Sequence, residues 1–389
     1  LTHPDRGRHH MRLGYFTMPV HPAERPWHET LAEDRQIVIL ADKLGFHDAF
    51  IGEHLTDKCE NITNSMIFLA SVVGETKQIK LATGTSNLSQ MHPALIANNA
   101  AMLDNMAKGR FILGISAGAL PSDAEVLGLL AEDRNKMFAE SIDVILEIWK
   151  RQPPYDIDLP DNRYKVTTAR TYWPALNVGI MGKPYQQPRP EIVGTVVAPG
   201  SQGVIQMGMR DFHPLSANFL MSRYLPSHWI NYAEGKAKIG QQADRAEWRV
   251  ARTIFVADDD KTAERYGNSD ANSPYRFYYH QLWGKLAKSK RLAGFKASPE
   301  QRDEDVTLQF VMDRLVMHGS VNRVVDQILA LREEIGDFGE IVFNMVDSGL
   351  LNRRETDSVD DFKNGYDFHT AFEVEYQIQI PWDRIAGSK

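Results

Sequence analysis

The tetrapeptide Ile51-Gly52-Glu53-His54 puts an imidazole directly behind a short apolar run. Histidine is the side chain whose ordinary pKa lies nearest neutrality, so an imidazole fixed there can give or take a proton near pH 7. Local hydrogen bonds would explain a strand-end histidine equally well, and residue type alone leaves both readings open. Glu53 is assigned to pairing with a neighbouring strand end. Three other clusters have the composition of ligand sites. Thr83-Gly84-Thr85 closes an apolar run with small residues, and a glycine there permits close backbone approach. The run Gly114 to Ala119, with Ser116 inside it, opens space and offers backbone amides to an anion, or simply lets a strand pack tightly on its helix. Pro199-Gly200-Ser201-Gln202-Gly203 leads into an apolar helical segment. The Ser201 hydroxyl and the amides of Gln202 and Gly203 are the donors a phosphate needs, and they would serve equally as a cap and turn. His92 and Asn98 lie at the start of another helix, where they either cap it or reach a ligand.

Other chemistry-bearing residues receive plainer assignments. Cys59, the single cysteine, is read as a small incidental residue. His21, His213, His228, His280 and His318 are read as structural, and Tyr15, Phe16 and Trp149 as packing. Lys285, Lys288, Lys290 and Arg291 form a basic cluster, assigned to a solvated helix face with a mobile lid as the alternative.

The elements that must hold these groups alternate. Arg12 to Thr17 reads as a strand, and Glu29 to Leu44 carries apolar residues at helical spacing and stops at Gly45. Ala49 to Gly52 and Lys80 to Gly84 are continuous apolar strands, separated by a helix from Ser65 to Val73. Pro93 to Met106 is helical, Phe111 to Ile115 is a strand, and Asn135 to Lys150 is a long amphipathic helix. Four βα units in succession imply parallel α/β structure. Thr17-Met18-Pro19-Val20-His21-Pro22 follows the first strand without a glycine, which disfavours a dinucleotide-binding open sheet and favours a TIM (β/α)8 barrel. Residues 151–190 are broken by prolines and read as an excursion over one barrel face. The rhythm resumes at Glu191 to Thr195, Leu215 to Leu220 and Val250 to Ala257, and a second excursion covers about 260–305. Leu315 to His318, the helix Val321 to Ile335 and the strand Glu340 to Val346 complete the barrel. A single domain over 11–352 is expected, with a disordered leader over 1–10 and a C-terminal extension over 353–389.

The chain has 389 residues, a formal charge of -7 and a pI near 6.0. No basic stripe suggests nucleic-acid binding, and no apolar run reaches the roughly 18 to 20 residues of a membrane span. One cysteine excludes an intramolecular disulfide or a multi-cysteine metal site and fits a reducing, cytoplasmic compartment.

Several segments, in their order and spacing, resemble the bacterial luciferase-like flavin monooxygenases, and among them the limonene and diketocamphane monooxygenase subgroup. They are Met11 to Pro19, Ile51 to His54, Ala82 to Thr85, Leu103 to Phe111, Lys183 to Pro190 and Glu247 to Arg252, and the similarity spans most of 11–347. The resemblance implies a TIM barrel and a two-component enzyme, in which a separate flavin reductase supplies reduced FMN. It implies a C4a-peroxyflavin that inserts one oxygen atom of O2 into a small, rather apolar substrate. His54 would then lie beside the flavin, and Thr83 and Gly84 under its ring. Ser116 and Asn98 would lie near it, with Ser201, Gln202 and Gly203 on its phosphate. A homo-oligomer is implied as well. Two departures concern the phosphate: Ala117 stands where luciferase itself has arginine, and Ala198 where many relatives have serine. The alternatives are a deazaflavin (F420)-dependent hydride transfer on the same barrel, or a catalytically silent flavin-binding barrel.

Overall fold

The structure is a computed structural model that describes residues 11–18, 20–344 and 346. The leader expected over 1–10 and the extension expected over 353–389 lie outside these residues.

Eight parallel strands close on themselves. They are β1 (Arg12–Thr17), β2 (Asp48–Ile51), β3 (Lys80–Thr83), β4 (Phe111–Ser116), β5 (Glu191–Val196), β6 (His213–Ser216), β7 (Arg249–Val256) and β8 (Glu340–Asn344). Each pairs with the next, and β8 returns to β1 with Arg12 opposite Glu340. This is the TIM barrel. The segment counted as a further strand, Val316–Gly319, lies outside the closure: it pairs with the end of β7, beyond the residues that β7 shares with β6.

The helices are α1 (Trp27–Lys43), α2 (Ser65–Ala70), α3 (Pro93–Met106), α4 (Pro121–Val126), α5 (Arg134–Lys150), α6 (Gly203–Met209), α7 (Leu225–Lys238), α8 (Asp260–Glu264), α9 (Pro274–Lys288), α10 (Leu308–Leu315) and α11 (Val321–Ile335). Gly45, at φ +83, ends the turn after α1, a conformation that favours glycine. The first excursion carries a small antiparallel hairpin, Asp156–Asp158 against Lys165–Thr167. The second contains α8 and α9, and its buried Tyr275, Tyr278, Tyr279 and Phe295 form a core of their own with Phe255 of β7 and Val311 of α10.

Strand side chains alternate between the helices and the barrel interior. One interior layer takes a single apolar residue from every strand: Phe16, Phe50, Ala82, Ile112, Val193, Leu215, Ala251 and Val342. Below it, at the N-terminal ends of the strands, lies a polar floor. Arg249, 1% exposed, holds Asp48 (3.0 Å), Glu191 (2.8 Å) and Glu340 (3.4 Å). His213 and Lys80 add contacts to Glu191, and Arg12 to Glu340. Burial and the neighbouring Glu340 charge push the Asp48 carboxyl well above the usual range. Among the described residues Asp48 Oδ1 and Glu340 Oε1 have no other partner, and both lie close to Gly14, so the proton kept on Asp48 joins them. A Cβ on Gly14 would meet these oxygens at 2.6 and 2.3 Å, which is why the strand carries glycine there.

The floor makes two stability predictions. Asp48 keeps its proton when folded, whereas in the unfolded chain it ionises near pH 4. Its stabilising contribution is therefore complete below about pH 4 and is lost as pH rises toward the folded value. Asparagine carries no such proton, so the stability of Asp48→Asn relative to wild type should rise with pH from about 4 upward in urea unfolding. Arg249→Met strands buried carboxylates and should cost roughly 3–5 kcal/mol in the same assay.

Candidate active site

At the opposite end, the C-terminal strand ends form a rim where barrel enzymes place their chemistry. Glu53, just past β2, accepts hydrogen bonds from Ser65 N (2.8 Å) and Oγ (2.7 Å) at the start of α2, and from Asn87 N (3.0 Å) beyond β3. It ties neighbouring strand ends together, as its assignment anticipates.

His54 follows, and its Nδ1 lies 2.9 Å from Asp123 Oδ2 on α4. The other Asp123 oxygen accepts from Leu55 N (3.1 Å), Thr56 N (2.9 Å) and Thr56 Oγ1 (2.6 Å). Burial alone would raise the Asp123 pKa, but the hydrogen bonds from His54 and Thr56 outweigh it and hold the carboxyl below its usual range. Asp123 is thus an ionised acceptor and fixes the Nδ1 proton of His54. Nε2, the exchangeable end, lies 3.4 Å from Glu60 Oε2. Burial pulls the imidazole toward neutrality, yet the Asp123 hydrogen bond and the Glu60 charge prevail and set its pKa above the ordinary histidine value.

Lys285 departs from its assignment to a solvated face. It lies inward on α9, bonded to Glu60 Oε1 (2.5 Å) and to Asp57, and so pins the second excursion to the loop after β2. Asp123 and Glu60 were not singled out from the sequence. Their signal is weak but real, because loops that follow different strands of a barrel converge on one rim, and carboxylates there are candidate partners for His54.

The β3–β5 side is small and polar. Thr83 Oγ1 donates to Gly114 O (2.7 Å), locking β3 to β4. A Cβ on Gly84 would sit 2.9 Å from Phe50 Cβ and 3.0 Å from Ile51 N, so contact with β2 already accounts for this glycine. The peptide from Gly84 to Thr85 is cis. The Ser116 hydroxyl accepts from Thr85 Oγ1 (2.7 Å) and Gly118 N (3.2 Å) and donates to Asn87 Oδ1 (2.8 Å). Arg134, at the start of α5, donates to Gly118 O (2.9 Å) and brings a cation to this edge.

The loop after β5 is held from behind by α7. His228 Nε2 donates to Ala198 O (3.0 Å), Gly200 N donates to Ser227 Oγ (3.2 Å), and Asn231 Nδ2 donates to Ser201 O (2.8 Å). His228 is neutral, its pKa pushed down to about 4 by burial, in keeping with its structural assignment. Ser201 is half-buried, with Gln202 and Gly203 exposed at the start of α6. Asn98 is not drawn into the rim network: its amide nitrogen donates to Ala94 O of its own helix (2.7 Å). His92 caps α3 by accepting from Ala94 N (3.2 Å).

Across the mouth, Thr253 Oγ1 joins Asn218 Nδ2 (3.0 Å), Tyr279 OH (2.9 Å) and Asn344 Nδ2 (3.2 Å), and Asn218 also reaches Tyr278 OH (3.1 Å). Among the described residues, several buried polar atoms near the strand ends lack a hydrogen-bond partner: Gln90 Nε2, Thr195 Oγ1, Glu60 Oε2 and Asn344 Oδ1. Such atoms cost free energy unless a ligand or water meets them.

A closed parallel barrel with a carboxylate-held histidine at the C-terminal strand ends has the architecture of a barrel enzyme. The family model of luciferase-like monooxygenases matches residues 11–337, and the chain belongs to that family. It is a flavin-dependent monooxygenase. It is 29% identical over 340 residues to 4-hydroxyprotoasukamycin monooxygenase of Streptomyces nodosus subsp. asukaensis, covering 86% of each chain. It is 26% identical to limonene 1,2-monooxygenase of Rhodococcus erythropolis, over 85% of this chain and 79% of that one. Among solved structures it resembles the oxygenating constituent of 3,6-diketocamphane monooxygenase from Pseudomonas putida, a type II Baeyer-Villiger monooxygenase in complex with FMN. There the TM-score is 0.76 and the identity 27%, over 86% of this chain and 91% of that one.

The His54–Asp123 pair is open to direct measurement. Asp123→Asn removes the charge but keeps an acceptor oxygen, so the His54 titration followed by NMR of the imidazole should move to lower pH than in wild type.

Proposed function

We propose that this chain is the oxygenase of a two-component system. It takes reduced FMN from a separate reductase and inserts one atom of O2 into a small, rather apolar organic substrate. The observation that carries the reading is His54, fixed by Asp123 at Nδ1 and presenting Nε2 on the rim. The FMN bound in the 3,6-diketocamphane relative supports the choice of flavin, and that protein's description as an oxygenating constituent supports a separate reductase.

The residues present fit a polar heterocycle bearing a phosphate. Gln90 and Thr195 offer buried polar atoms without a partner among the described residues, and Thr83, Gly84 and Ser116 form a small-residue wall at the ends of β3 and β4. Ser201, Gln202 and Gly203 would hold the phosphate, and Arg134, bonded to Gly118 O, brings a cation next to Ala117, the position where luciferase has an arginine. When bound, reduced flavin supplies the electrons that activate O2. The protein's own tasks are then to exclude water, orient the substrate and move a proton at His54 Nε2. The aromatic core around Tyr275, Tyr278 and Phe295 provides the exclusion. Leu55 and Val126, exposed beside the histidine pair, give the entrance an apolar edge.

The test mixes the protein with chemically reduced FMN under 18O2 and candidate cyclic ketones and alkenes. Uptake of O2 with one labelled atom in the product is expected without any reductase. His54→Ala should lower the rate about 10²- to 10⁴-fold while FMN affinity stays near wild type. Hydride transfer from reduced F420 with no O2 uptake would instead identify a deazaflavin enzyme. FMN binding with neither reaction would identify a silent barrel.

A second copy of the chain covers α2 and α3. Leu95, Met102 and Met106, spaced seven and four residues apart, form one exposed apolar stripe on α3, and Ile67 on the adjacent α2 is exposed too. Light scattering should report a dimer, and Met102→Glu should shift it toward monomer.

A further inference from the structure

The imidazole of His54 is held differently at its two nitrogens. Nδ1 lies 2.9 Å from Asp123 Oδ2, a hydrogen bond. Nε2 lies 3.4 Å from Glu60 Oε2, beyond the usual length of such a bond. Glu60 Oε2 is buried and has no hydrogen-bond partner among the described residues. The carboxylate therefore acts on the ring through its charge and does not tie up the Nε2 proton.

The other end of Glu60 keeps the two apart. Its Oε1 is bonded to Lys285 Nζ (2.5 Å), and the same ammonium is bonded to Asp57. Asp57 also accepts from Cys59 N (3.0 Å) and Glu60 N (3.3 Å), so the ammonium meets a loop already folded around one of its own carboxylates. Lys285 stands on α9, which is anchored independently of the lysine. Tyr279 OH lies 2.9 Å from Thr253 Oγ1 of β7, and Trp283 Nε1 donates to Val306 O (2.7 Å). Lys285 thus draws Glu60 toward α9 from a fixed point. Without that pull, the carboxylate would close the short gap to Nε2 and form a charge-assisted hydrogen bond with it.

The charged groups facing the ring are Asp123 on α4, Glu60 on the histidine's own loop and Lys285 on α9, with Glu53 next in the chain and Asp57 behind Lys285. Asp123 and Glu60 favour the protonated ring, and Lys285 opposes them.

We propose that Glu60 and Lys285 are positioning residues for His54: the Glu60 charge keeps both ring nitrogens protonated, and Lys285 holds Glu60 back so that the Nε2 proton stays free for a ligand. The use of that proton rests on the oxygenase reading and deepens it. The second excursion then sets the state of the histidine as well as covering it.

The experiment is NMR of the full chain with 15N-labelled histidine. In wild type at pH 7 both His54 nitrogens should carry protons, and the Nδ1 proton should exchange with water more slowly than the Nε2 proton. Glu60→Gln removes a negative charge and should move the His54 titration down by about one pH unit, a tenfold loss of proton affinity. Lys285→Met removes a cation and should move it up by about the same amount, with slower exchange at Nε2 as the carboxylate closes on it. Lys285→Arg keeps the cation and should restore the wild-type titration. A neutral ring in wild type at pH 7, an unmoved titration in Glu60→Gln, or no upward move in Lys285→Met would each overturn the proposal. The wild-type spectrum needs no variant, so a folding defect in either one does not remove the test. The flavin takes no part in these measurements. O2 uptake with reduced FMN, on the same preparation, decides the oxygenase reading separately.

Discussion

Arg249 is the constraint on which the barrel is built. One guanidinium, almost without solvent contact, meets carboxylates from β2, β5 and β8, strands spread around the circumference. No partly closed sheet would bring those three groups to one point. The cost of burying four ionisable groups is met only when the strands are in register and the circle is shut, so the polar floor selects closure over an open sheet. Gly14 belongs to the same device, because any larger residue would separate the two carboxyl groups that share a proton.

The rim is organised by the opposite logic. There the ionisable groups stand on the loop after β2 and on the helices α4 and α9, and are joined across long stretches of chain, His54 to Asp123 and Glu60 to Lys285. Each contact ties a different helix to the loop after β2, so the histidine's position depends on α4 and α9 as well as on its own strand. Holding an imidazole at both nitrogens by carboxylates gives it a fixed orientation and a reason to carry a proton.

Much of the barrel was legible in the chain, because apolar strands and amphipathic helices leave a periodic trace. Gly45 stops α1 as read, and seven of the eight closing strands coincide closely with the apolar runs. The sixth is displaced: His213 to Ser216 pairs, whereas Leu215 to Leu220 was expected, because a half-buried histidine beside a proline breaks the apolar pattern. Val316 to Gly319 has the composition of a barrel strand but finds only the end of β7 to pair with, and composition carries no information on that. At the site, His54 could be named from its place behind a strand. Its partners could not, since a 69-residue separation leaves no local signal. Lys285 was misjudged for a related reason: a lysine among lysines looks solvated until its carboxylates are known. Ser201, Gln202 and Gly203 stand on the loop after β5 in the order read, while Asn98 turns back to its own helix, a choice of side-chain direction that spacing cannot reveal.

The ring of eight apolar side chains between floor and rim has a consequence for how the molecule tolerates change of charge. It is a non-conducting membrane in miniature, one residue thick, with no hydroxyl or carboxyl on it to relay a proton. The proton held between Asp48 and Glu340 therefore cannot be drawn upward when the rim acquires or releases one. The two ends of the barrel keep separate ionic accounts, and the rim's loops are free to be rewritten for a new ligand without disturbing the ions that hold the strands together.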